Sequence, residues 1–136
     1  MHSRSLVAVS LALGASLLLA VALPAPAQDS GVYTRAQAGA GSQTFSNNCA
    51  ACHSADLSGG AGPPLAGSAF MGKWKGQTAK DLYDFAATQM PLTAPGSLKP
   101  AEYLSLIAFI LSKNGYKPGS TALDSAKLPA IKLAPQ

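Results

Sequence analysis

The sequence predicts an all-α domain, about three main helices plus loops wrapped around one large flat apolar group. Three observations lead there. No run alternates apolar and polar residues with the period of a half-buried strand. Three stretches carry a helix start signal followed by an apolar stripe. Those stripes make only a thin core, yet the loop after the first helix carries Leu65, Phe70, Met71 and Trp74, apolar area that must cover something.

The 136-residue chain opens on a different kind of segment. Met1 to Arg4 is a short basic head, Leu6 to Leu23 is an uncharged apolar run, and Ala25 and Ala27 then stand in an A-x-A arrangement. That order is a secretory signal peptide, so residues 1–27 are expected to be cleaved after Ala27. The apolar run is also near the minimum for spanning a bilayer, so an uncleaved membrane anchor is the alternative, disfavoured by Pro24, Pro26 and the small residues at the cleavage positions. Either way the remainder is expected in the periplasm. Without the leader, nine Lys and Arg face six Asp and Glu. This charge is neither dense nor interleaved with aromatics, which argues against a nucleic-acid partner.

The first helix is expected from Thr34 through Cys52, with Thr34 and Gln37 at capping-box spacing. Its interior of Ala, Gly and Ser makes it weak without tertiary support. Thr78 to Gln89 repeats the cap spacing with Asp81 and sets Leu82, Phe85 and Ala86 on one face. The third helix starts at Pro100, where a missing N–H is harmless, gains from Glu102 near the positive end of its dipole, and stops at Asn114-Gly115. Its apolar face is wide: Tyr103, Leu104, Leu106, Ile107, Ile110 and Leu111. The Gly- and Pro-rich segment from Ser54 to Gln77 is read as loop. The domain proper is assigned to 28–116, and 117–136, with scattered Pro and little periodicity, is read as an extended C-terminal tail lying over the surface or partly mobile.

The chain has two cysteines, Cys49 and Cys52, and His53 follows the second. C-x-x-C-H is the attachment signature of c-type haem. Two sulfurs three residues apart on a helical turn share a face, as two thioether bonds to one porphyrin edge require. The next residue can then reach the iron from beneath that edge. His53 supplies one axial ligand, and a six-coordinate electron carrier needs another. A methionine sulfur, soft and neutral, favours ferrous iron. Met1 leaves with the leader, so Met90 and Met71 remain. Pro91 drives Met90 out of the helix into a stiff extended loop that can hold a weak ligand, whereas Met71 lies among glycines and reads as apolar filler. The metal ligands are therefore expected to be His53 and Met90.

From Gly41 to Leu111 the chain resembles class I (monohaem) bacterial cytochrome c. Gly41 and Phe45 precede the first cysteine as a glycine and an aromatic do in that family, with Phe109 as the matching aromatic of the last helix. The segment GPPLAG and the loop MPLTAPGSL also match. The resemblance implies the class I cytochrome c fold around one covalent haem c, with the Pro63 carbonyl accepting a hydrogen bond from His53. It further implies Leu65 on the haem face and Trp74 near a propionate. Pro64 leaves the carbonyl assignment open by one residue, and Lys99 replaces the usual cap of the last helix, so Ser97 is the alternative cap.

With both axial positions filled, no site is left for substrate, and the expected role is one-electron transfer rather than catalysis by this chain alone. The partners are expected to be redox proteins: a periplasmic dehydrogenase for which this chain is acceptor or subunit, or a terminal oxidase served by a free carrier. Membrane contact is expected only if the leader persists. Lys73, Lys75, Lys80 and Lys99 are candidates for a basic ring that steers an acidic partner, the plain alternative being a solvated surface. Two other classes stay open: a haem enzyme or ligand sensor with a labile distal Met90, and a haem-free thiol oxidoreductase using Cys49 and Cys52.

Overall fold

The computed structural model describes residues 31–136, so the leader at 1–27, with its choice between cleavage and anchoring, lies outside the described residues. The described chain is helical. Its elements are α1 (Arg35–Asn48), α2 (Ala50–His53), α3 (Gly67–Trp74), α4 (Ala79–Gln89) and α5 (Pro100–Lys113), with a 3₁₀ turn at Leu128–Ala130. Extended pairing among these residues is confined to the isolated bridges Tyr33–Pro118 and Thr78–Lys132. No helix among them is long and apolar enough to cross a membrane.

α5 is the centre of the fold. Every residue from Leu106 to Leu111 is buried, as is Tyr103. α1 lies across it, and one glycine permits the crossing: a Cβ at Gly41 would stand 1.8 Å from the Ser105 carbonyl oxygen. One turn on, Phe45 meets Phe109 with ring centroids 5.4 Å apart. α1 buries little besides Gly41 and Phe45, so this contact supplies the tertiary support that its composition demands.

The helix starts follow simple chemistry. The Thr34 hydroxyl accepts from the Gln37 N–H at 3.1 Å, but the Gln37 side chain does not close a capping box. It reaches Leu123 instead. At α4 the box is complete, because Thr78 and Asp81 each bond the other's backbone N–H. At α5, Glu102 accepts from the Lys99 N–H at 2.8 Å, so Lys99 and not Ser97 is the cap position.

Three expectations need correction. α1 does not run on through Cys52: the chain leaves helical geometry at Cys49 (φ −128°), and the single turn of α2 follows. The Asn48 amide bonds back to the Thr44 carbonyl at 2.9 Å beside this break. The segment read as loop from Ser54 to Gln77 contains α3, whose Phe70, Met71 and Trp74 are buried. Finally, 117–136 is no loose appendage. Leu123, Leu128, Ile131 and Leu133 are buried in the core. The Ile131 carbonyl accepts from the Ala79 N–H at the start of α4, and Leu133 exchanges backbone bonds with Gly76 and Gln77.

Candidate functional site

Building the site begins with the loop after α2. The His53 carbonyl accepts from Gly59, the Cys52 carbonyl accepts from Gly62, and Leu65 donates to Leu57. Ser54 and Leu57 adopt positive φ (63° and 64°) to make these turns, and the Leu57 side chain is fully buried. The loop thus returns Pro63 to His53, whose Nδ1 lies 2.8 Å from the Pro63 carbonyl oxygen. Gly62 sits where a Cβ would stand 2.7 Å from the imidazole Cε1. His53 is 7% exposed. With Nδ1 donating to the carbonyl, Nε2 is the nitrogen left with a free lone pair.

These groups form one side of a cleft of about 410 Å³. All seven residues expected to bind the cofactor line it: Cys49, Cys52, His53, Pro63, Leu65, Trp74 and Met90. Phe45, Leu82, Phe85, Ala86, Leu106 and Ile110 supply much of the apolar remainder. Cys49 is half-buried and Cys52 exposed, and no disulfide joins them. Burial, and the neighbouring Cys52, push the Cys49 thiol up to about 11. A thiol raised in this way ionises less readily and is the less reactive form.

Met90 is the C-cap of α4, extended at φ −126°, ψ 154°, as Pro91 requires. Met71 is elsewhere, in the core and on a separate depression beside Lys75 and Lys113. Trp74 is buried against Phe70 and Phe85, and the Lys73 ammonium stands 5.3 Å from the Trp74 ring centre. The four lysines offered for a basic ring sit on different elements. Among the four, Lys73 alone lines the cleft, and Lys80 pairs with Asp84 one turn along α4. Lys73 and Lys75 are two residues apart at a helix end and so face different ways.

Residues 36–110, more than half of the chain, match the family described as cytochrome C oxidase, cbb3-type, subunit III. The chain belongs to this family of c-type cytochromes. A comparison with the curated proteins gives no match. Among solved structures, the crystal structure of the sulfane dehydrogenase SoxCD from Paracoccus pantotrophus is similar, with a TM-score of 0.61 and 24% identity over 91% of this chain and 68% of that one. At that identity the likeness speaks for the fold, which is the class I monohaem cytochrome fold.

The cofactor of this cytochrome is haem c, bonded through Cys49 and Cys52. The residues present fit it. Two unpaired thiols stand at the cleft, an oriented imidazole lies on its wall, and the lining is largely apolar, as a flat tetrapyrrole requires. Gly62 leaves room for the imidazole, and the Pro63 carbonyl fixes its orientation.

Sequence reasoning missed the groups that hold the cytochrome's cleft in shape. The Tyr103 hydroxyl donates to the Met90 carbonyl at 2.6 Å. Asn114 bridges α5 to the loop, donating to the Leu65 carbonyl at 2.9 Å and accepting from the Gly67 N–H at 3.1 Å. A polar residue just past the end of a helix was the available signal for Asn114. Tyr103 looked like one more residue of an apolar face.

Proposed function

We infer that this cytochrome is a periplasmic electron carrier whose haem c is held between His53 and Met90, and that it accepts electrons from a dehydrogenase, as partner or subunit. What carries the reading is one observation: His53, fixed through Pro63, and Met90, held extended, line the same apolar cleft. When bound, the haem supplies one-electron exchange between ferric and ferrous iron. The chain's own residues do the rest. His53 and Met90 would hold the iron between them and so would leave it no position for substrate. The apolar lining keeps water out and, with the neutral sulfur, favours the ferrous state. Exposed Cys52 marks the edge at which an electron enters and leaves.

The dehydrogenase partner is supported by the fold likeness to the SoxCD crystal structure. Export of residues 28–136 after cleavage at Ala27 belongs to the same reading, since 1–27 carries the basic, apolar and small-residue order of a secretory leader.

The test is the long-wavelength charge-transfer absorbance of the ferric protein, which reports sulfur on iron. It is expected to vanish in Met90→Ala and to persist in Met71→Ala. Persistence in Met90→Ala would overturn the ligand assignment. Absence in the unmodified protein would leave an open iron position and favour a ligand sensor or haem enzyme.

A further inference from the structure

We propose that Tyr103 is a positioning residue for the sixth iron ligand, holding Met90 through its backbone; this rests on the reading of Met90 as ligand. Methionine is a weak ligand on a flexible side chain, so its hold depends on how little the backbone behind it moves. Both backbone groups of Met90 are tied. Its N–H donates to the Ala86 carbonyl at 3.0 Å, the last bond of α4. Pro91 has no N–H and stops the helix, which turns the Met90 carbonyl away from the α4 ladder. That carbonyl takes the Tyr103 hydroxyl at 2.6 Å and, more loosely, the Gly96 N–H at 3.3 Å.

The short bond comes from the helix with the most buried residues among those described. Tyr103 is 2% exposed, its ring stands edge-on to Tyr83 with centroids 6.2 Å apart, and α5 beneath it is buried through the turns that follow. The hydroxyl therefore joins the Met90 loop to the helix that also packs against α1, the helix leading to Cys49. A movement of the Met90 backbone away from the cleft has to break this bond or move α5.

A merely structural role, a buried tyrosine satisfying its hydroxyl, predicts lost stability and unchanged ligation. The experiment separates the two by titrating ferric holoprotein with imidazole, which competes with Met90 for the iron. Tyr103→Phe is expected to bind imidazole about 5- to 10-fold more tightly than the unmodified protein, the equivalent of one buried hydrogen bond. Tyr33→Phe is the matched control, because it removes another buried tyrosine bond (to the Tyr116 carbonyl at 2.7 Å) far along the chain from Met90. It is expected to lose stability and leave imidazole affinity unchanged. Tyr103→4-aminophenylalanine keeps a donor, folds with the same ring, and is expected to restore the unmodified affinity. Equal imidazole affinity in Tyr103→Phe, Tyr33→Phe and the unmodified protein, while Met90→Ala binds imidazole far more tightly, overturns the positioning role and spares the ligand. If Met90→Ala itself binds imidazole no more tightly, the ligand reading fails first and the proposal with it.

Discussion

The Nδ1 atom of His53 and the carbonyl oxygen of Pro63 are 2.8 Å apart, joined across a loop held by backbone and side-chain bonds. Gly62 makes the approach possible, since any Cβ there would meet the imidazole at 2.7 Å. Gly62→Ala is therefore expected to tilt the ring and destabilise the holoprotein by roughly 1–3 kcal/mol, the usual range for overpacking. Pro63→Ala keeps the carbonyl and is expected to stay close to the unmodified protein. Thermal melts followed at the haem absorbance check both. An unshifted Gly62→Ala would show that the ring is oriented by something else.

Two glycines of α1 give opposite predictions. A Cβ at Gly41 would lie 1.8 Å from the Ser105 carbonyl oxygen and 2.9 Å from the Phe109 Cβ, so Gly41→Ala must force α1 off α5. The expected loss is about 3 kcal/mol or more, because backbone rather than a flexible side chain is in the way. At Gly39 a Cβ meets nothing within 4 Å, and Gly39→Ala is expected to gain about 0.5–1 kcal/mol from helix propensity. Denaturant midpoints would decide. Losses of equal size at both positions would contradict the crossing.

What the sequence disclosed and what it hid divide along one physical line. Cys49, Cys52 and His53 were legible because thioether attachment is a local constraint on consecutive residues. Thr34 and Thr78 were legible for the same reason, since a cap acts within one turn. Gly41, Phe45 and Phe109 were reached only through a family resemblance, and the close crossing they form is visible in the structure. α3 was hidden by Gly67, Gly72 and Gly76, which read as punctuation although Phe70, Met71 and Trp74 need a helix to face inward together. The burial of Leu123, Leu128, Ile131 and Leu133 was hidden because they share no helical or strand period.

The C-terminal segment should matter to the whole fold. Gln37 takes the place of a strand partner for Leu123, its Nε2 donating to the carbonyl at 2.8 Å and its Oε1 accepting from the N–H at 2.7 Å. Gln37→Ala removes both bonds and is expected to cost about 1–2 kcal/mol. Leu133→Ala, at a fully buried position, is expected to cost about 2–5 kcal/mol. Urea unfolding of the two variants checks this. If Leu133→Ala behaved as a surface substitution, the segment would be detached in solution.

The start of α4 carries a pH dependence with a definite sign. The Thr78 hydroxyl and the Thr78 N–H both donate to Asp81, at 2.7 and 2.8 Å. Those bonds favour the charged form and hold the carboxyl below its ordinary 3.8. A folded value below the unfolded one means that the unfolded chain binds the proton more readily, so stability falls as the medium is acidified. The contribution of Asp81 is complete above the ordinary carboxylate value and disappears as the pH drops through the lowered folded value. Asp81→Asn preserves the shape and cannot titrate. The stability gap between the unmodified protein and Asp81→Asn is therefore expected to be widest near neutrality and to close on acidification. Paired urea titrations across that range measure it. A gap that stayed constant with pH would mean that the cap acts through geometry alone and that the charge on Asp81 contributes nothing.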